Sequence, residues 1–89
     1  MEYDIDYSRL PEHIREGMRR YIEEGCPPGR FLQHVIKNKL VDSFGLADPT
    51  NKVRMHDICS FMYNQAPLPC WGNATRYNEW IKKGGLKGR

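Results

Sequence analysis

Between Tyr63 and Gly72 the chain reads Tyr-Asn-Gln-Ala-Pro-Leu-Pro-Cys-Trp-Gly, a proline-broken connection that carries a phenol, an amide, a thiol and an indole. Rings of this size are costly to leave in water, so the segment is expected to fold back onto the body or line a groove. Tyr63 and Trp71 offer flat faces on which a purine or ribose can stack. Asn38, Asn51 and Asn64 carry amides that match base edges or hydroxyls, and Asp48 adds an acceptor. Arg20 is the cation expected to meet a phosphate, with Arg19 and Arg30 as further charge. Expected helix starts at Arg30, Pro49 and Ala74 present free backbone N–H groups, which suit anions. Taken singly, each polar residue has an equal structural use: Asp48 and Asn73 as caps, Asn64 as a helix end.

Other chemistries fit less well. His56 and Cys59 stand at i, i+3, and Cys26, His34 and Cys70 are available to complete a tetrahedral site. No second close ligand pair exists, so no metal is expected. Cys70 has no neighbour in sequence to act as its base and reads as a small apolar residue packed beside Trp71. Neither an enzyme nor a cofactor is expected. A helix–turn–helix is suggested by Gly45-Leu46-Ala47-Asp48-Pro49, but Asp48 and Asp57 would put negative charge towards phosphates. Nucleic acid is disfavoured as a partner.

The elements that must hold these residues are helical. Pro11 to Gly25 delimit a first helix, with Ile14, Met18, Tyr21 and Ile22 as one apolar stripe. A second is expected from Arg30 to Phe44, stopped by Gly45, with Phe31, Leu32, Val35, Ile36, Leu40 and Phe44 inward. Asp48 as N-cap and Pro49 at the first position start a third, which buries Met55, Ile58, Cys59 and Met62 and ends before Pro67. Asn73 caps a fourth that runs to Gly84, with Ala74, Tyr77, Trp80 and Ile81 facing inward. No segment alternates at period two. The expected fold is all-α, a compact bundle of about four short helices that gains burial by oligomerising.

Size and charge set the limits. The 89 residues make one domain. Residues 1–10 are expected as an acidic arm, 11–83 as the helical domain and 84–89 as a flexible basic tail. Residues 1–16 carry a net −3 and residues 76–89 a net +4, within a total of +3. That modest total is a poor match to a dedicated nucleic-acid binder. No apolar run approaches a membrane span, and the acidic start lacks the order of a signal peptide. A cytoplasmic protein with no membrane partner is expected. Three cysteines are too few for a disulfide scaffold and are read as reduced thiols.

The blocks Arg20-Tyr21-Ile22-Glu23-Glu24-Gly25, Pro28-Gly29-Arg30-Phe31-Leu32, Asn38-Lys39-Leu40, Ala47-Asp48-Pro49-Thr50-Asn51, Tyr63-Asn64-Gln65-Ala66-Pro67 and Cys70-Trp71-Gly72 occur in this order. In that order they resemble a family of short, mostly uncharacterised proteins of tailed bacteriophages, over about residues 11–82. The chain departs from the family's pattern at Lys39, where an acidic residue is usual. The resemblance implies a phage origin and the host cytoplasm. By analogy with other small phage proteins, it implies work against host defence. The leading expectation is a non-enzymatic homo-oligomer that sequesters a nucleotide-derived immune signal through Arg20, Asn38, Asp48, Asn51, Tyr63, Asn64 and Trp71. The alternatives are an anti-CRISPR-like inhibitor of a host defence protein, using acids such as Glu2, Asp4, Asp6, Glu12 and Glu16, or a small DNA-binding regulator.

Overall fold

Helix α1 (Glu12–Glu24) follows Pro11 and buries Ile14, Met18, Tyr21 and Ile22, the four side chains its spacing places on one face. It ends at Gly25, which takes a left-handed conformation. The computed structural model describes residues 5–88. Among them lie five further helices: α2 (Arg30–Ile36), α3 (Leu40–Leu46), α4 (Pro49–Val53), α5 (Met55–Asn64) and α6 (Ala74–Lys83). Two 3-10 turns, Leu68–Cys70 and Gly85–Lys87, complete the fold, and no strand is present among the described residues. No helix there is long and apolar enough to cross a membrane.

The fold is all-helical as expected, but two of the four expected helices are broken. The Arg30–Phe44 segment stops at Ile36 and restarts at Leu40. Asn38 adopts φ 64°, the Asn38 N–H donates to the Val35 carbonyl, and the Lys39 N–H donates to the His34 carbonyl. This is a Schellman stop, with asparagine in the left-handed position that glycine more often fills. The break interrupts the periodicity that would have carried them inward, and Leu40 and Phe44, expected in the core, are exposed. Ser43 is the α3 side chain that goes in, its hydroxyl donating to the Lys39 carbonyl at 2.7 Å.

The Asp48 start holds as read: its carboxylate accepts the Asn51 N–H at 2.7 Å, with Pro49 in the first turn. The helix then kinks at Arg54 and continues as α5. Met55, Ile58 and Met62 are buried as expected, whereas Cys59 is exposed and Phe61 takes its place in the core. In α6, Tyr77 and Trp80 are buried and Ala74 is exposed.

Tyr21 sits at the centre. Its ring stacks on Tyr77 with centroids 5.5 Å apart, and the Trp80 indole N–H donates to the carbonyls of Tyr21 and Ile22. The chain before α1 packs too: the Tyr7 ring lies 5.4 Å from Phe61 and its hydroxyl donates to Glu23. Glu2 and Asp4 of the acidic arm lie outside the described residues. The segment expected as a loose tail is docked as far as Gly88. Gly85 is buried against the end of α1, Leu86 packs on the core, and Lys87 pairs with Glu24 at 3.5 Å.

Candidate functional site

The break between α2 and α3 creates the first candidate site. Ending α2 early frees the Ile36 carbonyl, which accepts the Gly72 N–H at 2.8 Å. Gly72 makes this contact at φ 119°, a conformation that a side chain would strain. Farther into the core, the Tyr21 hydroxyl donates to the Cys70 carbonyl at 2.6 Å. These two bonds fix the Cys70-Trp71-Gly72 segment against the body and hold the Trp71 indole beside α5.

Between them the elements enclose a groove of about 290 Å³. Val35, Asn38 and Leu40 form one wall; Met55, Cys59, Met62 and Tyr63, one face of α5, form the other; Trp71 closes the end. None of these side chains is charged. Tyr63 is 80% exposed, which leaves its ring free at the mouth. The Trp71 indole N–H is buried without an acceptor. Methionine and aromatic walls of this kind adapt to flat apolar groups.

The groove's thiol is Cys59, an exposed residue whose pKa is raised by partial desolvation of its sulfur. Cys70, wholly buried, is pushed up to about 12 by burial. Both are held as thiols, and Cys70 packs in the core as its small apolar character suggests. No group of three or more His, Cys, Asp or Glu is placed to hold a metal ion among the described residues.

A second cavity, of about 340 Å³, shares no lining residue with the groove. His13 of α1, Arg30 and Phe31 of α2, Asp48 and Asn51 contribute to its wall. Asp48 Oδ2 lies 2.9 Å from His13 Nε2, while Oδ1 accepts the Asn51 N–H. The Asn51 backbone N–H, then the His13 ring, hold the Asp48 carboxyl below its ordinary pKa. Asn51 is only 3% exposed.

The expected site residues thus divide into three sets. Asn38, Tyr63 and Trp71 meet in the groove, and Asp48 and Asn51 meet in the second cavity. Arg20 and Asn64 enter neither. Arg20 is exposed on α1, off the face that its apolar stripe buries. Asn64 donates to the Ser60 carbonyl at 3.0 Å, closing the last turn of α5. Sequence reasoning placed Met55 and Met62 only in the core and missed His13. The pairing of His13 with Asp48, 35 residues apart, leaves no mark in either local pattern.

No protein-family model matches the chain, and no curated protein or solved structure matches it.

Proposed function

We propose that the protein is a non-enzymatic binding module of phage origin that sequesters a nucleotide-derived immune signal in the host cytoplasm. The observation that carries this reading is the meeting of Tyr63 and Trp71, with the Asn38 amide, in one uncharged groove. A base stacks against such rings whatever its sequence of donors, and the Asn38 amide supplies an edge contact. An uncharged lining suits the base rather than the phosphate, which stays at the mouth. Lys37 and Lys39 flank the lining residue Asn38, and Lys39, set between Asn38 and Leu40, is exposed.

The module is proposed to work as a homo-oligomer. Leu40, Val41 and Phe44 present apolar surface on α3, with Val41 85% exposed, and a second copy would cover it. The same three side chains favour a second reading, a protein-binding inhibitor of a host defence complex.

A thermal-shift panel of cyclic oligonucleotides, ADP-ribose derivatives and plain nucleotides tests the first reading. One class is expected to raise Tm through preferential binding to the folded state. Tyr63→Ala, a change at an exposed ring, should abolish that shift and leave the unliganded Tm in place. If no class shifts Tm, and a host protein retained by the wild type is lost on Val41→Asp, the second reading replaces the first.

A further inference from the structure

One wall of the groove carries three sulfur atoms. Met55, Cys59 and Met62 stand on one face of α5 at i, i+4 and i+7, and all three line the same space of about 290 Å³. Helix residues three or four apart have Cβ atoms about 5–6 Å from each other, so Cys59 has a methionine one turn away on either side. Both thioethers sit on long, unbranched side chains with three rotatable bonds, which can bring their sulfurs towards the thiol between them. Core packing accounts for the burial of Met55 and Met62. It does not account for Cys59, which is exposed and lies between them on the open side.

The donors present decide which ion suits this wall. The groove's other lining residues, Val35, Asn38, Leu40, Tyr63 and Trp71, include no carboxylate and no imidazole. His56, three residues before Cys59, is exposed and does not line the groove. No three His, Cys, Asp or Glu gather among the described residues, so zinc and the harder divalent ions have no ligand set. Thiolate and thioether sulfur select soft ions, copper(I) among them. Charge makes the same choice. A monovalent ion that displaces the thiol proton leaves the site neutral, as the groove lining already is. A divalent ion would leave a net positive charge against apolar walls.

We propose that Met55, Cys59 and Met62 form a site for a monovalent soft metal ion, copper(I) or its analogue silver(I). The ion bonds to Cys59 Sγ as the S–H proton leaves to water, and the thiolate balances its charge. The two thioethers donate lone pairs and change no charge, and no atom changes oxidation state. A base and the ion would compete for the same wall, but the metal site stands whether or not the groove takes a base.

Silver(I) nitrate, titrated in chloride-free buffer into the full chain carrying Cys26→Ser, tests the site. That substitution removes the half-buried thiol outside the groove, and Cys70 is buried. The chain has four methionines, and isotope-labelled methyl groups report on each by NMR. One equivalent of silver is expected to shift the methyl signals of Met55 and Met62 and to leave that of Met18, in the core on α1, in place. Met55→Leu and Met62→Leu are volume-conserving changes that cores tolerate. Each should weaken silver binding at least about tenfold, no less than the loss of an outer-shell partner does. Equimolar zinc(II) should not displace the silver. Silver held with both methionine signals unmoved is capture by a thiol alone and overturns the site. Full affinity in both leucine variants, or displacement by zinc, overturns it equally.

Discussion

The hydroxyl of Tyr21 donates to the carbonyl of Cys70 at 2.6 Å, and neither residue has surface in contact with water. This bond ties the middle of α1 to the segment that carries Trp71, 49 residues away. Tyr21→Phe keeps the ring, its stacking on Tyr77 and the backbone carbonyl that Trp80 uses, and removes only the donor. An orphaned buried carbonyl costs about 1–3 kcal/mol. Urea unfolding should show a loss of that size with an unchanged slope. A loss under about 0.5 kcal/mol would mean that water reaches the Cys70 carbonyl once the hydroxyl is gone.

Asp48 predicts an acid-side dependence of stability. Its folded pKa is depressed below the ordinary 3.8, first by the Asn51 backbone N–H and then by His13. A depressed carboxylate contributes stability that is present above the unfolded value and is lost as pH falls through the folded one. Asp48→Asn retains an oxygen to cap α4 but removes the charge. The variant should melt below the wild type at pH 6, and the two curves should converge as pH is lowered beneath 3.8. A gap that persists at the acid end would trace the effect to cap geometry instead of charge.

How much of this was legible in the sequence differs by element. The α1 stripe was fully readable, because Ile14, Met18, Tyr21 and Ile22 follow helical spacing between a proline and a glycine that stop it. The α2–α3 break was not. Leu40 and Phe44 prolong the periodicity of Phe31–Ile36, so local pattern alone favours one helix. The Ile36 carbonyl that the break frees accepts the Gly72 N–H, a partner from a distant part of the chain that no local pattern reveals. The sites follow the same division. Tyr63 and Trp71 announced themselves by being large rings near prolines. His13 and Arg30 acquire their place only through the packing of α1 against the start of α2.

The three cysteines should separate by reactivity. Cys59 is exposed and lines the groove, Cys26 is half-buried, and Cys70 is wholly buried with its pKa near 12. A thiol-specific reagent at pH 8 should label Cys59 and Cys26 in the native protein and reach Cys70 only after unfolding. A groove ligand should slow labelling of Cys59 and leave Cys26 unaffected. Equal protection of both thiols would point to a global change instead of occupancy of the groove.

Gly85 meets Gly25 back to back at the end of α1. A Cβ on Gly85 would lie 2.6 Å from the Gly25 nitrogen, and its φ of 72° is itself unfavourable for a side chain. Gly85→Ala should therefore destabilise by more than about 1 kcal/mol, the ordinary cost of a side chain at positive φ. Deletion of residues 85–89 should reproduce most of that loss, since both changes undock the same turn. If the deletion is silent, the terminal turn adds no stability to α1 and Leu86 is not part of the working core.

Asn38 is where fold and groove depend on one backbone torsion. It is the non-glycine residue with positive φ among those described, and the Schellman bonds around it end α2 and aim Leu40 outward. Alanine at this position carries about 1–2 kcal/mol of left-handed strain and is the strongest helix former. Asn38→Ala thus penalises the break and rewards a continuous α2–α3 helix at the same time. Glycine relieves the strain and disfavours the continuous helix. Asn38→Gly should accordingly hold or raise Tm, whereas Asn38→Ala should lower it by a few degrees or increase the helical circular dichroism signal. Because a straight helix would carry Leu40 and Phe44 back towards the core, the alanine variant should also lose whatever the groove binds. The glycine variant should lose only the contact made by the amide. Should both variants bind and melt alike, the break is set by the Gly72 contact alone, and Asn38 merely tolerates a torsion imposed from outside.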